Sequence, residues 1–173
     1  MIIQFCGLSG SGKSTIAKKV KEYFSGTGIN IEVIDGDEYR EFLCPDLGYS
    51  KEDRHTNIRR LAFVAGKLAQ YGVTPIICAI NPYQDIRSEI ATSYADVKTV
   101  YIKCDLKELI RRDTKGLYKR ALLPDGHGEK LYNLTGVNDP FEVPADPDLA
   151  IETDNERVED SVQHLVDFIR ANL

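Results

Sequence analysis

Apolar residues along the chain fall into two alternating kinds of run. Short, nearly continuous apolar stretches at Ile2 to Cys6, Ile31 to Ile34, Thr74 to Ala79, Thr99 to Lys103 and Leu149 to Ile151 have the length and β-branched character of buried strands. Between them lie longer segments, Lys13 to Ser25, Arg54 to Tyr71, Tyr83 to Tyr94, Leu106 to Arg112 and Arg157 to Asn172, in which apolar residues return every three or four positions. Ile16, Ala17, Val20 and Phe24 form such a stripe, as do Ile58, Leu61, Ala62, Ala65, Leu68 and Ala69. Strands alternating with amphipathic helices imply βαβ units. The pattern predicts an α/β, three-layer fold with a central parallel five-stranded sheet and helices on both faces. Ligands of such sheets bind beyond the carboxyl ends of the strands. That places Ser9 to Ser14, Asp35 to Arg40, Asn81 and Asp105 on the expected functional edge.

One stretch breaks the alternation. From about 113 to 147 prolines and glycines cluster, no period is sustained, and Lys115, Lys119, Arg120 and Lys130 add positive charge. A segment of this length inside one compact domain reads as a lid or binding loop, with Leu117, Tyr118, Leu131, Tyr132, Leu134 and Phe141 available for burial. The 173 residues fit one domain, 1–173, with this lid inside it. Net charge is −5 with scattered basic residues, which argues against a nucleic-acid footprint, and no apolar run approaches the length of a membrane span. Cys6, Cys44, Cys78 and Cys104 show neither metal nor disulfide spacing and read as buried, reduced thiols of a cytoplasmic protein.

The first strand runs directly into Gly7-Leu8-Ser9-Gly10-Ser11-Gly12-Lys13-Ser14-Thr15, which matches the P-loop pattern and makes the expected fold P-loop NTPase-type. Gly7, Gly10 and Gly12 permit turns that bring successive N–H groups onto phosphate oxygens at the positive end of the next helix, so the expected ATP contacts run from Gly7 through Ser9, Gly10, Ser11, Gly12, Lys13 and Ser14 to Thr15. Lys13 is placed to reach the β/γ-phosphates of ATP and the Ser14 hydroxyl to ligate Mg²⁺. No guanine-reading Asn-Lys-x-Asp element follows a late strand, which argues against a GTPase switch.

Strand two ends in Asp35-Gly36-Asp37, followed by Arg40. Alone, such an acidic pair reads as a helix cap and a surface charge. Beside a P-loop, Asp35 becomes the candidate contact to metal or to an attacking hydroxyl, while Asp37 caps the following helix and orients Arg40. Arg54 and Asn57, three apart, share a helix face. An arginine near a helix N-terminus opposes the macrodipole and calls for an anionic ligand or a carboxylate to compensate it, unless the turn is simply a solvated basic one.

These elements together resemble the adenylylsulfate (APS) kinase family over nearly the whole length. The resemblance is carried by Gly7 to Thr15, Asp35-Gly36-Asp37 with Arg40, Asp53-Arg54 with Asn57-Ile58-Arg59-Arg60, Asn81-Pro82-Tyr83 with Arg87, Arg112 to Tyr118, and Leu134-Thr135-Gly136 with Pro140-Phe141-Glu142. It implies transfer of the γ-phosphoryl group of ATP to the 3′-hydroxyl of adenylylsulfate, with Mg²⁺ at Ser14 and Asp35. It also implies a small-molecule partner rather than nucleic acid or membrane, and allows a homodimer. Catalytic roles fall on Lys13 and Asp35. Acceptor contacts fall on Asp37, Arg40, Arg54, Asn57, Ile80 and Lys115, with Leu134 in the place of an aromatic residue that covers the acceptor adenine, and Arg112 lies near the ATP base or phosphates. Asn81 replaces a serine that some members phosphorylate, and residues 122 to 132 lengthen the lid. The alternative is a kinase of the same fold with a different small hydroxyl acceptor: a nucleotide, a sugar or a polyol.

Overall fold

The computed structural model describes residues 1–173. Strand β1 (Ile2–Cys6) feeds the P-loop and helix α1 (Lys13–Phe24). Then come β2 (Asn30–Asp35), α2 (Gly36–Leu43), α3 (Lys51–Gln70), β3 (Val73–Cys78), α4 (Gln84–Ser93) and β4 (Val97–Lys103). Helices α5 (Leu106–Arg112) and α6 (Leu117–Ala121), strand β5 (Leu149–Glu152) and helix α7 (Val158–Asn172) complete the chain. The five strands form one parallel sheet in the order β2-β3-β1-β4-β5, with Ile3 opposite Ile76 on one side of β1 and Lys98 on the other.

The two faces of β1 show why the sheet is covered on both sides. Ile3 and Phe5 point into a core made with Ile16, Ala17, Val20 and Phe24 of α1 and Leu165, Val166 and Ile169 of α7. Ile2 points the other way, against Ile58, Leu61 and Ala65 of α3 and Ile86 and Ile90 of α4. Gln4 shares that second face and is fully buried. Its amide is satisfied by the Arg87 carbonyl at 3.1 Å, the Thr99 hydroxyl at 3.0 Å and the Asn81 amide, which donates to it at 3.1 Å.

The five strands stand where the alternation predicts them, with ends shifted by a residue or two. Two helices were not anticipated as periodic segments. α2 is a short helix of which only Gly36 is buried, and its eight residues are too few to sustain a readable apolar period. α6 lies inside the lid, which is therefore partly helical rather than structureless. α3 also begins three residues before Arg54, because Ser50 caps it by accepting the Asp53 N–H at 3.1 Å.

The lid is pinned at many points. Leu134, Tyr118, Ala121, Leu109 and Cys104 form a small apolar cluster beneath it. Phe141 stacks on Tyr101 with centroids 6.0 Å apart, and the Glu142 N–H donates to the Pro82 carbonyl at 2.8 Å. The segment that lengthens the lid closes on itself: Leu131 N–H donates to the Arg120 carbonyl at 3.2 Å and Lys130 pairs with Asp125 at 2.7 Å.

Candidate active site

The P-loop wraps the N-terminus of α1 at the carboxyl edge of the central strand. Gly7 holds φ +151°, and a Cβ there would lie 2.3 Å from the Ile102 carbonyl oxygen, so no side chain fits. Gly12 caps α1 in the left-handed region at φ +100°. Within the loop, Gly7 N–H donates to the Ile80 carbonyl and Ser11 N–H to the Leu8 carbonyl, whereas the N–H groups of Gly10, Gly12, Lys13 and Ser14 have no acceptor in the protein. Unpaired amides at a helix N-terminus are an anion cradle.

Lys13 lies across this cradle. Its ammonium donates to the carbonyls of Gly7 at 2.9 Å and Leu8 at 2.7 Å. Burial pulls its pKa down to about 8, because the charged form has left water for a site with no opposing carboxylate in contact. Ser14 Oγ donates to Asp35 Oδ2 at 2.7 Å, which places the two expected metal contacts together. Asp35 Oδ1 accepts the Asp37 N–H at 3.0 Å and so caps α2. Partial burial pushes the Asp35 carboxyl up, but the hydrogen bonds from Ser14 and from the Asp37 and Glu38 amides outweigh it and hold the group below its ordinary value.

The cap thus belongs to Asp35 and not to Asp37, correcting the expectation: the residue ending β2 is extended, as a cap must be, whereas Asp37 is already inside the helix. Asp37 does not orient Arg40 either. It pairs across the chain with Lys115 of the lid at 2.5 Å, while Arg40 donates to the carbonyls of Leu47 and Gly48 and stands 4.5 Å from the centroid of Tyr49.

Beside the Ser14–Asp35 pair opens a cleft lined by Gly36, Asp37, Arg40, Tyr49, Arg54, Asn57, Ile80 and Asn81. The structure brings all of the expected acceptor residues on α2, α3 and the β3–α4 connection to this one place. Arg54 is nine-tenths buried. Its Nε donates to the Tyr49 carbonyl at 3.0 Å, and its Nη2 donates to the Asn133 carbonyl and the Asp139 carboxylate, each at 2.7 Å. A carboxylate is thus what compensates a cation at the start of α3. Asn57 is equally buried, and its Oδ1 has no partner. Lys115 does not line the cleft itself but reaches its rim through Asp37.

Leu134 lies elsewhere. It is 5% exposed and packs under the lid with Leu109 and Tyr118, which corrects its expected place over the acceptor: an apolar side chain gains more from that cluster than from a wet, charged cleft. The aromatic ring at the cleft is that of Tyr49, which sequence reasoning passed over because it precedes α3 outside any periodic segment. Asp139 and Tyr118 were also missed as site residues. Tyr118 Oη donates to the Ser9 carbonyl at 2.8 Å, tying the lid to the P-loop. Arg112 stands on the opposite side of the loop, in a small pocket with Ser9, Gly10, Thr114 and Tyr118.

No group of three or more His, Cys, Asp or Glu residues is arranged to hold a metal, all four cysteines are unpaired and buried, and no helix is long and apolar enough to cross a membrane.

The sequence profile of the family described as adenylylsulphate kinase matches residues 1–152. The chain is 43% identical over 171 residues to an adenylyl-sulfate kinase of Deinococcus deserti, which covers 99% of this chain and 92% of that one. It is 40% identical over 166 residues to an adenylyl-sulfate kinase of Chloroflexus aurantiacus, covering 96% and 87%. Among solved structures it is similar to the APS kinase of Mycobacterium tuberculosis in complex with AMPPNP and APS, with a TM-score of 0.88, 35% identity, and coverage of 98% and 96%.

Proposed function

The chain belongs to the adenylylsulphate kinase family, and we propose that its P-loop holds the ATP donor while the cationic cleft beside Asp35 holds the acceptor, adenosine 5′-phosphosulfate. The reaction is transfer of the γ-phosphoryl group of ATP to the acceptor's 3′-hydroxyl, giving 3′-phosphoadenylylsulfate and ADP. The observation that carries this division of the site is adjacency: Asp35 bonds Ser14 of the P-loop, and the next two residues, Gly36 and Asp37, already line the cleft that contains Arg54 and Asn57.

Each residue then has a task its surroundings support. The unpaired amides of Gly10, Gly12, Lys13 and Ser14 receive the phosphate oxygens. Lys13 exchanges the carbonyls of Gly7 and Leu8 for phosphate oxygens, whose negative charge further favours its ammonium form. Ser14 Oγ and the Asp35 carboxylate are hard oxygen donors in contact, a set that suits Mg²⁺, which takes one or two protein oxygens and completes its shell with phosphates and water. Held by Ser14 and Asp35, Mg²⁺ would neutralise charge on the transferring phosphates.

Asp35 also orients the 3′-hydroxyl and accepts its proton as the new bond forms. Arg40 and Arg54 bind the phosphosulfate anion through charge-assisted hydrogen bonds. The unpartnered Asn57 Oδ1 takes a hydrogen from an acceptor hydroxyl or amine, and the Ile80 segment forms the wall opposite. Tyr49 provides the aromatic face for the acceptor's base in place of Leu134. Lys115 leaves Asp37 for the acceptor as the lid settles, and Arg112 stands by the donor.

A coupled ADP-release assay across adenylylsulfate, other nucleotides and polyols tests the assignment. Adenylylsulfate is expected to give a kcat/KM at least about 10³-fold above any other acceptor, because a site built to pair a charged group leaves its own cations unpaired when that group is missing. A preferred sugar or polyol would overturn it.

A further inference from the structure

The three cations around the acceptor cleft are held in different ways. Arg40 rests on two backbone carbonyls, Lys115 on an exposed carboxylate, and Arg54 alone on a partly buried one. An exposed pair such as Lys115–Asp37 exchanges partners at little cost. The Arg54–Asp139 pair does not, since Arg54 is nine-tenths buried and losing its carboxylate strands a charge away from water.

Asp139 is itself rigidly placed. It closes a tight turn in which the Leu134 carbonyl accepts the N–H groups of Val137, Asn138 and Asp139 at 3.1 Å each, and Gly136 N–H donates back to the Asp139 carbonyl at 2.7 Å. Leu134 anchors that turn in the apolar cluster containing Tyr118, whose hydroxyl bonds the P-loop at Ser9. A line of contacts therefore runs from the P-loop through Tyr118, Leu134 and Asp139 to Arg54. Tyr49 and Asn133 carbonyls and the Asp139 carboxylate occupy Nε and Nη2 of Arg54, and Nη1 is the one guanidinium nitrogen without a protein partner.

We propose that Asp139 is the positioning residue for acceptor recognition: it fixes the Arg54 guanidinium so that Nη1 is the edge presented to the acceptor's anionic group. It also lowers the net charge of the cleft, so the acceptor is selected by the direction of this donor more than by bulk attraction. The inference rests on the reading of the cleft as the acceptor site.

The test is steady-state kinetics of three variants with adenylylsulfate and ATP, each checked for an unchanged thermal midpoint. Asp139→Ala is expected to raise the KM for adenylylsulfate by about tenfold or more while the KM for ATP stays within about twofold. Asp139→Asn keeps an oxygen for Nη2 and is expected to recover the KM to within about threefold of the parent protein; a purely structural role for the turn would instead show as a lowered thermal midpoint and a shared loss for both substrates in the Ala variant. If Asp139→Ala does not fold, Asp139→Ser, too short to reach Nη2, takes its place with the same expectation. An unchanged adenylylsulfate KM in the Ala or Ser variant, equal losses for both substrates, or no recovery with Asn overturns the proposal. Arg54→Ala separates the two levels: if it leaves the adenylylsulfate KM unchanged, the cleft is not the acceptor site. If it raises that KM and Asp139→Ala does not, only the positioning role fails.

Discussion

The donor half of the site is one continuous stretch, Gly7 to Thr15, whereas the acceptor half draws Arg40 from α2, Arg54 and Asn57 from α3, Asn81 from the β3–α4 connection and Lys115 from the lid. The halves also differ in how they are held ready. In the donor loop the phosphate-facing amides have no partner: glycine geometry and the start of a helix set their direction, and bonds from Gly7 to Ile80 and from Tyr118 to Ser9 brace the loop from outside. In the acceptor cleft every cation is already engaged by the protein. Its binding strength is therefore a difference between the substrate's contacts and those it displaces, and residues such as Asp139 and Asp37 that never reach the reacting atoms take part in setting it.

If the donor half is independent of the acceptor, Lys13→Ala must lower turnover with every acceptor, by about 10³-fold or more, as expected when a preorganised cation at the transferring phosphoryl group is removed. Retained turnover with any one acceptor would break the separation. Asp35 sits on the boundary, and Asp35→Asn sharpens it. Asparagine caps a helix as well as aspartate does, so the thermal midpoint should move by no more than about 2 °C. The kcat should fall by about 10²-fold, because the metal ligand and proton acceptor lose their charge. A large drop in the midpoint with a mild effect on kcat would make Asp35 a cap and nothing more.

The buried ammonium of Lys13 predicts a pH dependence confined to the donor half. Its pKa in the folded, ligand-free protein is about 8, below the ordinary 10.5. Across that window the unfolded chain binds the proton that the folded chain has released, so the Lys13 contribution to stability rises with pH from about 8 to 10.5, and its burial penalty is present in full below 8. ATP requires the charged form, so ATP affinity should fall as pH rises through about 8, by up to about tenfold per unit. Calorimetric titrations with ATP at pH 7 and 9, which should also show proton uptake in the upper range, check it. The smallest effect is expected at the rim. Asp37→Asn frees Lys115 from an exposed ion pair worth about 1 kcal/mol or less, so the KM for adenylylsulfate should fall by no more than about threefold to fivefold, and less in high salt. A change in the KM for ATP instead would move Asp37 to the donor side.

The alternation of apolar runs and amphipathic segments determined the layer order of this protein, because a strand buried on both faces and a helix with one apolar stripe leave different periods in the sequence. The spacing of Gly7, Gly10, Gly12, Lys13 and Ser14 determined the donor site, because a phosphate cradle is made of consecutive amides. Helix α2 escaped notice since it buries almost nothing, and α6 since five residues are too few for a period. The identities Arg40, Arg54 and Asn57 were legible as candidates, but only the tertiary structure decided what faces them. The pairing of Arg54 with Asp139 spans 85 residues, that of Lys115 with Asp37 spans 78, and no local pattern encodes contacts at such separations. The same holds for the exchange between Leu134 and Tyr49. Which of two residues enters a charged cleft and which joins an apolar cluster is settled by the packing that surrounds each one, and that packing is made by residues far apart in the sequence, such as Leu109 and Tyr118 against Leu134.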